Sequence, residues 1–342
     1  MNNIKIWLLG AVLLASCNSS KETRLQQFLL KGNIALKEGN FEKASYYYGE
    51  AIKVDGCYAD AWNNLGTVYF NQKNYRQAQQ QYEKAMECRP NFLNALINHA
   101  NTSYELKEYY KTLNDLDKVL VLKPDTALAW FTQGLTYTKM REFNKALRAF
   151  GRAKAIEPTN VDVLVNQATV HYYTKNFDSA KYLLRQAVQL KPNEPNIYNT
   201  LALIETEQQN FTEALRMVEE ALTLEPRQPF YLNNRGFIYL SLNELNKAEQ
   251  DINTSIALDP YNAWAYRNKG ILYYTQKDYV AAERLFKQAL DTDQFVDKIY
   301  FYLGMTYLQR GDAGLACVAF KKSETLGDRM VTDAQILKCN KK

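Results

Sequence analysis

The sequence holds two histidines and five cysteines in 342 residues. No CxxC, HExxH, phosphate-loop or GxSxG spacing occurs. The chemistry those patterns support is therefore not expected, nor is a metal or cofactor. Acidic residues are scattered through polar stretches, without an obvious catalytic pair. The expectation is a protein that is not an enzyme and takes no small-molecule substrate. A long apolar run is also missing. The longest, Ile6 to Ala15, has ten residues, against about 20 needed to span a bilayer as a helix. Charge of either sign is never massed. Lys and Arg number 42 and Asp and Glu 37, for a net +5. Without a basic block, a nucleic-acid partner is not expected.

What is present begins at the N-terminus, "MNNIKIWLLGAVLLASCNSSKETR". Lys5 precedes the short apolar run, which is the layout of a secretory signal. Leu14 to Cys17, "LASC", resembles the bacterial lipobox. That resemblance implies a signal peptide over residues 1–16, a lipid on Cys17 (palmitate among its acyl chains) and a polar tether over 17–24. More than one acyl chain would hold the protein on a membrane without spanning it. Asn18 stands where an aspartate would retain an enterobacterial lipoprotein in the inner membrane. The outer membrane is therefore expected, on its periplasmic face rather than the cell surface.

The rest of the chain is periodic. Counted from Leu25 in steps of 34, position 8 reads Gly32, Gly66, Ala100, Gly134, Ala168, Ala202, Gly236, Gly270 and Gly304. Position 20 is alanine in every unit but the third, where Thr112 stands. Position 27 is mostly alanine, with Val119, Ser255 and Ser323 as exceptions. Position 32 is proline at 90, 124, 158, 192, 226 and 260. Apolar residues recur at helical spacing within each unit, so each reads as two amphipathic helices, A and B. Small residues at 8 and 20 let the two backbones approach, and aromatics at 4, 11 and 24 fill the space around them. Proline at 32 closes helix B.

This pattern resembles the tetratricopeptide repeat. The resemblance implies an all-α, right-handed superhelix (an α-solenoid) of nine 34-residue repeats over residues 25–330. "VTDAQILKCNKK", residues 331–342, reads as a C-terminal capping helix, with Ile336 and Leu337 over the last repeat. The third repeat, with Thr112 and Val119 at small sites, is expected to pack more loosely.

In this family helix A lines the concave face, with positions 2, 5, 6, 9, 12 and 13 turned inward. Position 6 carries Asn64, Asn98, Asn166, Asn234 and Asn268, with Thr132 and Thr200 among them. Asn63, Asn199 and Asn233 add to them at position 5. A carboxamide both donates and accepts, so such a ladder suits the backbone of an extended peptide. Asparagine is also common at position 6 in the family, and exposure alone could account for it. Tyr104, Tyr172 and Tyr274, with Phe131, Phe230, Trp264 and Phe301, are candidate apolar pockets beside the ladder. The family's carboxylate clamp is not matched, since Leu29 and Asn33 stand at its first positions. His99 and His171 fall at positions 7 and 11 and read as packed residues. Cys57 and Cys88 flank one hairpin, whose antiparallel helices bring its ends together, so a bridge between them is one expectation. Cys317 and Cys339 are a second candidate pair, and four packed free thiols are the other reading. The function implied is a membrane-anchored scaffold that takes a partner protein or extended peptide in its groove, within an outer-membrane assembly, secretion or export machine. The alternative is a structural subunit held by its convex face and ends.

Overall fold

A computed structural model describes residues 3–327 and 330–332, with side chains described from Ser20 onward. Among the described residues there are eighteen α-helices and no strand. The A helices are α1 (Asn3–Lys37), α3 (Ala59–Asn71), α5 (Leu93–Glu105), α7 (Ala127–Lys139), α9 (Val161–Tyr173), α11 (Pro195–Glu207), α13 (Pro229–Ser241), α15 (Ala263–Thr275) and α17 (Ile299–Arg310). The B helices are α2 (Phe41–Val54), α4 (Tyr75–Cys88), α6 (Tyr109–Leu122), α8 (Phe143–Ile156), α10 (Phe177–Leu190), α12 (Phe211–Leu224), α14 (Leu245–Leu258), α16 (Tyr279–Thr292) and α18 (Ala313–Thr325).

Each hairpin is closed by the same backbone device. Position 15 turns left-handed at Gly39, Lys73, Lys107, Arg141, Lys175, Gln209, Asn243, Lys277 and Gly311, with φ between 59° and 84°. A side chain there costs energy that glycine avoids, yet glycine is used only in the first and ninth repeats. The opposite turn is tied by position 4. The indoles of Trp62 and Trp130 donate to the Gly56 and Pro124 carbonyls at 2.9 Å, and the Tyr198 hydroxyl to the Pro192 carbonyl at 2.7 Å. Each aromatic thus packs its body and caps the carbonyl six residues before it.

The core of each hairpin lies between positions 8 and 24. A Cβ on Gly134 would come within 2.5 Å of the Phe150 ring, and one on Gly66 within 2.6 Å of Tyr82. Gly32 faces Tyr48, Gly270 faces Phe286 and Gly304 faces Phe320 in the same way. Where position 8 is alanine (100, 168, 202), position 24 is Leu116, Leu184 or Val218. In the seventh repeat Gly236 faces Ile252 instead. Glycine at 8 therefore makes room for a large side chain from helix B, a ring in five of its six repeats, in addition to bringing the backbone near position 20. At the unusual sites of the third repeat, Thr112, Leu116 and Val119 are all fully buried; its two helices nonetheless touch less extensively than those of the second and fourth repeats, as the sequence led one to expect.

Residues 1–170 and 171–342 form two compact units. Within each, the A helices pack on the B helices that follow them (α1 on α2 to α7 on α8 in the first unit, α11 on α12 to α17 on α18 in the second), and B helices pack on the next A. Consecutive A helices also touch: α1 with α3, α3 with α5 and α5 with α7 in the first unit, and α11 with α13, α13 with α15 and α15 with α17 in the second. No consecutive B helices do so among the described residues. Each stack therefore curves towards its A helices, which line the inner face.

Residues 17–24, read above as a tether, are helical within α1. No glycine or proline lies between Gly10 and Gly32 to stop that helix. The Cys17 side chain and residues 333–342, including Cys339, Ile336 and Leu337, lie outside the described residues. Val331 is described, and it packs on the last core cluster. No helix among the described residues is long and apolar enough to cross a membrane.

Candidate partner-binding face

The asparagines on the inner face bond chiefly to one another. In the first unit, Asn98 Nδ2 donates to Asn63 Oδ1 at 3.0 Å, and Asn63 Nδ2 to Asn64 Oδ1 at 3.0 Å. Asn64 Nδ2 donates to Asn33 Oδ1 at 2.9 Å, which also accepts from the Tyr48 hydroxyl at 2.7 Å. One chain of carboxamides thus joins α5, α3 and α1. The second unit repeats it. Asn268 donates to Asn233 at 2.7 Å, Asn233 to Asn234 at 3.4 Å and Asn234 to Asn199 at 2.7 Å. In three of these links position 6 of one repeat reaches position 5 of the repeat before it, and Asn64 reaches position 9 instead.

This changes what the ladder can offer. Asn63, Asn233 and Asn268 are buried, so they lock neighbouring repeats rather than face a ligand. Asn64, Asn98, Asn166, Asn199 and Asn234 are half-buried on the inner face. Asn98 is anchored through one N–H, and its Oδ1 accepts from no group among the described residues. Asn166 donates to the Asp162 carbonyl of its own helix at 2.9 Å and stays outside the network.

The position-12 tyrosines also differ from expectation. Tyr104, Tyr172 and Tyr274 pack on the position-17 rings Tyr109, Phe177 and Tyr279, at 5.9, 6.4 and 5.6 Å between centroids. They brace the hairpin turn, and burial pushes the Tyr104 phenol up to about 12. Phe131 lies against Phe150, and Trp264 and Phe301 against the last core cluster. The large apolar side chains most open on the inner face are Leu30, Leu128 and Phe230, of which only Phe230 stood out in the sequence.

Two charged groups on this face of the second unit had no sequence signal. Glu207, at the end of α11, meets Lys175 Nζ at 2.8 Å and Lys298 Nζ at 2.7 Å. Burial works to raise its carboxyl, but the two lysines outweigh that and hold it below its ordinary range. Arg267 is buried on α15, gripped by Asn268 Oδ1 at 3.0 and 2.8 Å, and donates onward to the Asp297 carbonyl at 3.0 Å. The nearby Tyr172 phenol is raised well above its ordinary range, first by burial and then by the charges of Glu207 and Asp297.

The histidines are packed residues. His99 is buried, with Nδ1 at 2.5 Å from Asp115 Oδ2. Arg235 and Asp251 form the same bridge at the same repeat positions, 2.6 Å apart. His171 is half-buried, and burial lowers its ring's affinity for a proton. Among the described residues no group of three or more His, Cys, Asp or Glu is arranged to hold a metal. Cys57 and Cys88 are joined in a disulfide with Cα atoms 5.2 Å apart. Cys317 is also disulfide-bonded.

Repeat-family models match along most of this stack. Tetratricopeptide-repeat models match residues 32–73, 59–92, 199–263 and 262–292. A model of the cytochrome c-type biogenesis protein H TPR domain matches residues 115–229. The chain is a tetratricopeptide-repeat protein. Solved tetratricopeptide-type structures resemble it in fold. The crystal structure of the APC/C hetero-tetramer Cut9–Hcn1 matches with a TM-score of 0.61 at 16% identity, over 93% of this chain and 76% of that one. Pseudomonas aeruginosa PilF matches with a TM-score of 0.55 at 19% identity, over 62% of this chain and 96% of that one. At such identities the likeness is one of fold. No curated protein matches the chain by sequence. Tetratricopeptide-repeat proteins are typically non-catalytic scaffolds, and the fold supports binding of proteins or peptides.

Proposed function

We propose that this tetratricopeptide-repeat protein is a non-catalytic adaptor, and that its first unit binds an extended segment of a partner protein along the inner face of α1, α3, α5 and α7. One observation carries the reading. The carboxamide chain holds Asn98 with its oxygen uncommitted, on the same face as the exposed apolar side chains Leu30 and Leu128. A fixed acceptor beside apolar contacts suits a peptide backbone and its alternate side chains. The hetero-tetramer named for Cut9 and Hcn1 is an instance of such a fold in a complex with another protein.

The same proposal places the protein on the bacterial outer membrane, periplasmic face, held by lipid on Cys17 within an assembly, secretion or export machine. The "LASC" pattern supports the anchor, and the Cys57–Cys88 bridge suits an oxidising compartment. Metabolic labelling with palmitate would label the wild type but not Cys17→Ser. Absence of label from the wild type would remove the anchor.

The binding reading is tested by crosslinked capture from native envelope. Leu128→Arg with Leu30→Arg alters the inner face without cutting the carboxamide chain. Tyr46→Ala with Val121→Ala alters exposed B-helix sites. Loss of a specific partner in the first variant alone supports the inner face; equal capture by both variants and the wild type rejects it. A second reading has its own support. Tyr46, Tyr110, Val121, Tyr182 and Val318 stand more than half exposed on B helices, as they would in a subunit held by its outer surface. Loss in the B-helix variant alone would favour it.

A further inference from the structure

The link between α16 and α17 departs from the rest of the second unit. Helices α14 and α15 are joined by four residues, 259–262, whereas α16 and α17 are joined by six, 293–298. The repeat register is unbroken, since Gly304 and Ala316 keep their 34-residue steps. The two extra residues come from the first turn of the A helix, which is unwound. Lys298 takes a left-handed φ of 60° to leave it. Position 32 is Gln294 here, not proline.

The unwound turn makes contacts that a helical one would not. Lys298 Nζ reaches Glu207 Oε1, 91 residues earlier in the chain. The Asp297 carbonyl takes the Arg267 guanidinium, which Asn268 aims at it. Val296 is buried in the last core cluster and pins the segment from below. Glu207 lies at the end of α11 and Arg267 on α15, so the segment ties the A helix of the sixth repeat to the start of the ninth. In a repeat stack, spacing over three repeats is otherwise set only by nearest-neighbour interfaces, each of which can flex.

We propose that residues 293–298 are a strap across the inner face of the second unit, fastened by the Lys298–Glu207 ion pair. Fastened, it fixes the spacing of repeats six to nine and covers the ground around Tyr172, Glu207 and Arg267. An extended segment could lie along α11, α13 and α15 only after the pair opens. That consequence rests on the inner face being the working face, as proposed above; the fastening itself does not.

The test needs no partner. Full-length wild type, Lys298→Met and Lys298→Arg are compared by hydrogen exchange and by tyrosine nitration with tetranitromethane. Exchange over residues 293–302 should rise about tenfold in Lys298→Met, with α15 amides unchanged, and Lys298→Arg should stay near wild type. Nitration of Tyr172 should rise about tenfold relative to its exposed neighbour Tyr173, which serves as the internal reference. Unchanged exchange in Lys298→Met overturns the fastening. Faster exchange throughout the unit, α15 included, also overturns it, as general destabilisation. Unchanged nitration of Tyr172 with locally faster exchange overturns the covering role alone. None of these results depends on whether the first unit captures a partner.

Discussion

Gly134→Ala is the perturbation that most sharply tests how a repeat is packed. Its added Cβ would lie 2.5, 2.6 and 2.8 Å from three atoms of the Phe150 ring. The ring is fully buried against Ala146, Ala153, Val163 and Val170, so it has nowhere to go. Overpacking of this kind costs about 1–3 kcal/mol, and alanine's better helix propensity returns about 1 kcal/mol. A net loss of up to about 2 kcal/mol is expected. Phe150→Leu alone leaves a void and should cost about 1–2 kcal/mol, less than the full truncation to alanine. The double variant recreates the Ala100–Leu116 pairing of the third repeat. It should be more stable than the sum of the singles by at least about 1 kcal/mol, a normal coupling for touching residues. Urea unfolding gives the totals, and hydrogen exchange in α7 and α8 localises them. Additivity within about 0.5 kcal/mol would refute the pairing of positions 8 and 24.

Three further outcomes follow from particular contacts. Trp62→Ala removes a packed indole and its bond to the Gly56 carbonyl; it should cost about 3–5 kcal/mol, concentrated in adjacent repeats, and array-wide unfolding at one midpoint would oppose that. Cys57→Ser with Cys88→Ser opens a loop with a sequence separation of 31 and should lower stability by about 3–4 kcal/mol on the chain-entropy account, whereas no difference between the oxidised wild type and the double serine variant would show the bridge to be idle. Glu108 is pulled down to about 2 by Gln79, Lys111 and Arg76. A depressed carboxyl stabilises the fold above its unfolded value of about 4.3 and loses that contribution as pH falls towards about 2. Exchange in α5 and α6 should therefore rise over that window, and Glu108→Gln should flatten the change; an unaltered profile in Glu108→Gln would contradict it.

The fold was legible because its causes are local and repeated. Small residues at position 8 mark every hairpin, alanine at position 20 all but the third, and proline at 32 six of them, and nine copies leave one architecture. The exchange of glycine and ring for alanine and aliphatic residue, with Gly236 and Ile252 as its one exception, was also in the sequence, but it shows only when positions 8 and 24 are read together. The site was less legible. Asparagines at 5 and 6 announce polar contact on the inner face, yet nothing in a single repeat says that their partners are each other. That depends on the stacking distance between A helices. Tyr104 and Tyr274 looked like pockets because position 12 faces inward, and the aromatic at position 17 that claims them lies across the turn. Glu207 and Lys298 are 91 residues apart, and no periodicity connects them. Only the curvature of the second unit and the unwound start of α17 bring them together.

The central claim is that the inner face of the first unit is where a partner lies. The most direct measurement is site-specific photocrosslinking in the intact envelope, with benzoylphenylalanine at Leu128 on α7 and, separately, at Tyr46 on α2. Both sites are exposed, one on the inner face and one on a B helix. The account predicts a discrete crosslinked partner from position 128 and none from position 46. A partner crosslinked from position 46, with position 128 silent, would contradict it.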